Sequence, residues 1–180
     1  MKTALRGGVY YRVANPDWVD PFDTSYSIAM GGRWNVKGEF GACYLSRDLP
    51  TAEANAMQML KRKFRPMPYS LDDLRDHQRP VLYASRVPTS RVLDAVSPVG
   101  LQAVGLPVTY PFDTSGKTIG WTQCQSIGRI AHLKHMPALA ARSAAPGAPG
   151  GSEELAWLLT GVHKLRPTGP AKSFDEWFGN

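Results

Sequence analysis

The chain has 180 residues, of which 43% are hydrophobic, and a formal charge of +6. This is enough apolar material for one substantial core, and one domain over residues 1–180 is the expected organisation. No run approaches the ~20 apolar residues of a membrane-crossing helix, so no membrane partner is expected, and the positive balance favours an anionic partner.

The opening MKTALRGG is too short and too polar to read as a signal peptide, and Cys43 and Cys124 stand in no metal or redox spacing. A reducing cytoplasm is therefore the expected compartment. VYYRV at 9–13 predicts a strand, and the turn-rich NPDWVDPFDTS follows it. GGRWN at 31–35 reads either as a hairpin turn or as a backbone that lets an arginine close on an anion. ACYLS at 42–46 predicts a second short strand.

A helix is predicted from near Asp48, with Pro50 tolerated in its first turn. It ends in KRKFR at 61–65, cations that suit a helix C-terminus and need no nucleic acid to explain them. VLYASRV at 81–87 predicts a further strand. Ser97 as N-cap, Pro98 at the first helical position and Gly105 as stop predict a short helix. A longer helix is predicted over 119–134. Residues 142–152, small and rich in Gly and Pro, predict a surface loop. ELAWLLT at 154–160 fits a strand or a buried helical turn equally. Phe174, Trp177 and Phe178 predict a tail that packs back onto the body. Strands interspersed with helices, without regular βαβ units, give an α+β class.

Few residues carry a chemical signal. Glu53 falls on the helical stripe of Met57, Leu60 and Phe64, where a carboxylate is costly unless it is paired or functional; a place at the rim of the core explains it too. Arg33 is either an exposed turn residue or a planar fork for phosphate or carboxylate. Arg12, on a strand, needs an anion if it points inward. Tyr44, between Arg33 and Glu53, reads as core on its own, and Ser143 as an ordinary loop serine. His132 and His135 have no third ligand to make a metal site with, so no metal is expected. No P-loop and no Ser/His/Asp spacing stands out.

Taken together, YYRV, GGRWN, ACYLS and TAEANAM resemble the N-terminal half of the RES domain family, named for an Arg, a Glu and a Ser. The family's helix entry is Thr-Ala-x-x-Glu-like; here it is TAEANA, with the acid directly after Thr-Ala. The resemblance runs through residues 9–60, is looser through VLDAVSP, and rests on one Arg-Ser pair in LAARSAA. It implies an ADP-ribosyltransferase-like fold of two small packed β-sheets flanked by helices, with an NAD⁺ site between them. Carried over, Arg33 and Glu53 become the family arginine and glutamate, Ser143 the serine, Tyr44 the tyrosine beside nicotinamide and Arg12 the early arginine. The implied activity is that of a toxin of a type II toxin–antitoxin system. It consumes NAD⁺ as substrate by hydrolysis or phosphorolysis of the nicotinamide–ribose bond, or transfers ADP-ribose to a protein. The implied partner is an Xre-like antitoxin that covers the site. A binding module for nucleotides or nucleic acid is the non-enzymatic alternative, supported by charge alone.

Overall fold

The strand signalled by VYYRV extends in both directions to become β1, Thr3–Ala14. It runs antiparallel to β3, Val81–Ala95, along its whole length. β3 is longer than its sequence signal because Pro88, which has no N–H to give, sits where the register slips between Arg6 and Gly8. A bulge is where a strand tolerates proline. The chain is described by a computed structural model over residues 1–158 and 163–179.

β2, Cys43–Ser46, β4, Ala138–Arg142, and β5, Glu153–Trp157, complete the sheet. The strands close in the order β1-β2-β5-β4-β3. The two packed sheets expected from the resemblance are thus one sheet closed on itself. Two long strands make this possible. β3 pairs with β1 along one side, and its last residues, Leu93 to Ala95, run parallel to β4. The weakest seam is β1–β2, which shares one register pair, Tyr11 with Ser46.

A cluster drawn from all five strands fills the barrel, including Tyr10, Leu45, Val92, Ala140, Leu155 and Trp157. Helices cover two outer faces. α3, Pro98–Ala103, and α4, Trp121–Leu133, pack with Trp34 and Phe40 over Leu93, Leu139 and Ala156. α2, Leu49–Phe64, and α5, Phe174–Trp177, pack over Val13 and Leu82, so the aromatic tail returns to the body as expected.

The start signals of the helices act as read. Asp48 Oδ1 accepts from Thr51 N, with Pro50 in the first turn, and Ser97 Oγ accepts from Gly100 N. α1, Ser25–Met30, forms without a side-chain cap inside the segment read as turns, and β4 also arises where no strand is expected. Of ELAWLLT, residues 154–157 are strand, whereas Leu159 and Thr160 lie outside the described residues. The two histidines do not share a helical face, since His132 stacks on Phe40 and His135 lies beyond the helix end at φ 52°. Among the described residues no helix is long and apolar enough to cross a membrane, and no three His, Cys, Asp or Glu side chains group as metal ligands.

Candidate active site

GGRWN is a fixed loop, not a hairpin. Gly31 caps α1, Trp34 is buried, and Asn35 Nδ2 donates to Ser27 O and Phe40 O at 2.7 and 3.0 Å. A side chain at position 32 would drive into the Tyr44 hydroxyl and Asn35 Oδ1. Gly128 of α4 meets the Trp34 carbonyl so closely that any Cβ there would collide with it. These contacts press the loop between β2 and α4 and aim Arg33 into a cleft.

That cleft is a cavity of about 940 Å³ on the outer wall of the barrel, within the ~300–1,000 Å³ range of small-molecule sites. It is lined by β1 (Arg12, Val13) and the loop after it, α1, Gly31 to Arg33, Ala42, β2 (Tyr44 to Ser46), one face of α2, Trp121, Ala144, Ala145 and Glu154. Arg12, Arg33 and Tyr44, each expected at the site, meet here.

Both arginines are held. Arg33 Nη1 donates to Ile119 O at 2.9 Å. Arg12 donates from Nε to Pro21 O at 3.1 Å and from Nη1 to Tyr44 O at 2.9 Å, and lies over the Trp18 ring. Its side chain thereby serves a β2 carbonyl at the seam where β1 gives little backbone pairing. Neither guanidinium has a carboxylate within salt-bridge distance among the described residues. Arg62 and Lys63, from the basic end of α2, add charge at the rim, with Arg62 over the Trp121 ring. Tyr44 Oη accepts from Trp34 N at 2.9 Å and donates to Asn35 Oδ1 at 2.8 Å. Burial pushes its phenol pKa far above the ordinary 10.0, so it stays neutral and its free surface is the ring.

Glu53 does not line the cavity. The lining face of α2 is Asn55, Gln58, Met59 and Arg62. At about 100° per residue, Glu53 lies roughly 160° round the helix from Asn55. Its Oε1 accepts from Gly179 N at 3.0 Å at the margin of the tail. Of the expected stripe, Leu60 does lie on the core face, but beside Ala52 and Ala56, and Met57 is exposed. Burial of small alanines, not of the larger Met57, sets the helix's rotation.

The carboxylate that reaches the cavity is Glu154. Its Oε1 accepts from Ser143 Oγ at 2.5 Å and from Asn55 Nδ2 at 2.9 Å. Desolvation pushes its carboxyl above the usual 4.5, against the pull of those two hydrogen bonds and of the Arg33 charge. By surface area Glu154 is half-buried, yet the surface it keeps is cavity wall, so it is poorly solvated. Ser143 is therefore at the site but behind it. It is buried, gives its proton to Glu154 and accepts from Ala145 N at 3.1 Å.

Glu154 carries no signal by residue type, because two acids at a strand entrance look like a solvated end. The period of two in SEELAW held the missing signal. It puts Leu155 and Trp157 inside the barrel and Glu154 on the outer face with Ala156.

The sequence model of the RES domain family matches residues 9–164. No curated protein matches the chain in sequence. A solved structure described as the M. tuberculosis MbcT–MbcA toxin–antitoxin complex contains a chain similar in fold. Its TM-score is 0.69 at 20% identity, over 97% of this chain and 91% of that one.

Proposed function

The chain belongs to the RES domain family, and from that premise we propose that it is the toxin of a toxin–antitoxin pair and consumes NAD⁺ by cleaving the nicotinamide–ribose bond. The observation that carries this reading is one of unpaired charge. Two arginines and a glutamate, none with an opposite charge within salt-bridge distance among the described residues, face the same cavity. Charges kept from water without a partner are expensive, and a ligand that is anionic at one end and becomes cationic at its reacting carbon satisfies both kinds.

NAD⁺ has that polarity. Its pyrophosphate suits the free donors of Arg33 and Arg12 through charge-assisted hydrogen bonds. The Tyr44 ring, its hydroxyl already engaged, offers a flat face to nicotinamide. As the C1′–N bond lengthens, positive charge grows on the sugar, as in glycoside cleavage, and a carboxylate in a poorly solvated pocket stabilises it. Nicotinamide leaves with the bonding electron pair as a neutral ring, and an acceptor oxygen takes its place on C1′.

In the same reading the barrel is a member of the ADP-ribosyltransferase-like group, the whole chain acts as one cytoplasmic domain, and an Xre-like antitoxin closes the cavity mouth. The similar chain in the MbcT–MbcA structure is part of a toxin–antitoxin complex, which supports the pairing.

The test is to incubate the purified protein with NAD⁺, with and without phosphate, and to follow free nicotinamide. Release is expected, and dependence on phosphate separates phosphorolysis from hydrolysis. NAD⁺ labelled in the adenosine would instead mark protein if ADP-ribose is transferred. Neither release nor labelling means the reading is wrong.

A further inference from the structure

We infer that Glu154 is the catalytic carboxylate of the cavity, oriented by Asn55 and Ser143; this inference rests on the NAD⁺-cleaving reading. Four observations lead to it. First, the acid at position 53 points away from the ligand space, so α2 brings no carboxylate to it. Second, the position of α2 that does face the cavity at that level is Asn55, and its amide spans to Glu154 on β5. The carboxylate has thus been delivered from the barrel wall, with an amide on the helix to hold it.

Third, the other acids of the lining are otherwise engaged or peripheral. Asp20 pairs with Lys164, Asp23 with the Ser25 hydroxyl, and Asp17 is exposed in the loop after β1. Glu154 is the lining carboxylate close enough to Arg33 for their charges to act on one another. Fourth, both hydrogen bonds fall on Oε1, leaving Oε2 without a partner among the described residues. Among those residues the one buried side-chain N or O atom left wholly unpaired is Trp177 Nε1, so Oε2 is not sealed in protein. Glu154 itself lines the cavity.

This arrangement defines a balanced step. The C1′–N bond breaks and its electron pair leaves on nicotinamide. A water oxygen forms the new bond to C1′, and its proton passes to Oε2 of Glu154 and then to solvent. Asn55 and Ser143 fix the carboxylate plane so that Oε2 points at the incoming water. Both are positioning residues.

The experiment compares wild type with Glu154→Gln for NAD⁺ affinity by calorimetry, for nicotinamide release, and for thermal unfolding. The inference predicts that Glu154→Gln binds NAD⁺ as wild type does and unfolds no earlier. Its kcat should fall by about 100-fold or more, the usual scale of a lost general base. It also predicts an acidic limb in the wild-type rate profile, which Asn55→Ala moves to higher pH by removing a hydrogen bond to the charged form. Glu154→Gln turning over at the wild-type rate overturns the inference while the NAD⁺ reading stands. A wild type that releases no nicotinamide and labels no protein overturns that reading first. If the glutamine variant does not fold, the profiles decide. Wild-type turnover without an acidic limb, or a limb indifferent to Asn55→Ala, overturns the assignment.

Discussion

Glu153 and Glu154 are neighbours on β5 and live in opposite worlds. Glu153 turns to the barrel's interior side, where Arg6 Nε donates to its Oε2 at 2.6 Å and Tyr10 Oη to its Oε1 at 2.7 Å. Glu154 turns outward to the cavity, where two neutral donors hold one oxygen and no cation is within salt-bridge distance among the described residues. The first carboxylate is satisfied by the protein. The second is restrained but unsatisfied. A strand's alternation is enough to separate a structural acid from a chemical one.

Exchanging the two acids for glutamine breaks this comparison most sharply. Glu154→Gln should abolish nearly all turnover, by about 100-fold or more, with stability unchanged or raised. The linkage has a definite sign. A carboxyl whose folded pKa lies above the ordinary 4.5 binds more protons folded than unfolded. Its contribution to stability therefore declines as pH rises from 4.5 through the folded value. Denaturant titrations across that window should show a decline in wild type that is shallower in Glu154→Gln.

Glu153→Gln should do the reverse. It weakens a partly buried pair, so a loss of about 2 kcal/mol is expected from hydrogen bonds to a charged group, with turnover per folded molecule unchanged. A catalytic loss there would break the division of labour between the two faces of β5.

Tyr44→Phe tests whether the cavity wall depends on neutral hydrogen bonds. It strips a partner from Trp34 N and from Asn35 Oδ1, at a cost of about 1–2 kcal/mol. Because Arg33 rides on the same loop, KM for NAD⁺ should rise more than kcat falls. The smallest effect belongs to Glu53→Gln, a surface change expected to stay within ~0.5 kcal/mol and to leave nicotinamide release untouched. A large loss of turnover there would return the catalytic carboxylate to α2.

What the sequence made legible was what is encoded locally. Asp48 with Pro50, and Ser97 with Pro98, announce helices because capping uses residues three or four apart. Arg12, Arg33 and Tyr44 stand in YYRV, GGRWN and ACYLS, the stretches that carry the resemblance, and the fold brings all three to one cavity. β4 was not legible. ALAAR is buried on both faces, so it lacks alternation, and its small residues have no strand preference. α1 has no side-chain cap and buries nothing. Barrel closure depends on pairing between strands far apart in sequence. The choice of Glu154 over Glu53 turned on helix rotation, set by which side of α2 the barrel accepts. Two alanines and a leucine outweigh a methionine in that choice, and no single residue states it.

The two cavity arginines have a thermodynamic consequence. An arginine that must leave solvent and fix its torsions when a ligand arrives gives up as much as about 2 kcal/mol of side-chain entropy at that moment. Here Arg12 is tied to Pro21 O and Tyr44 O, and Arg33 to Ile119 O, by contacts within the fold itself. That freedom is surrendered during folding, so under the proposed function the pyrophosphate of NAD⁺ would meet donors that are already oriented.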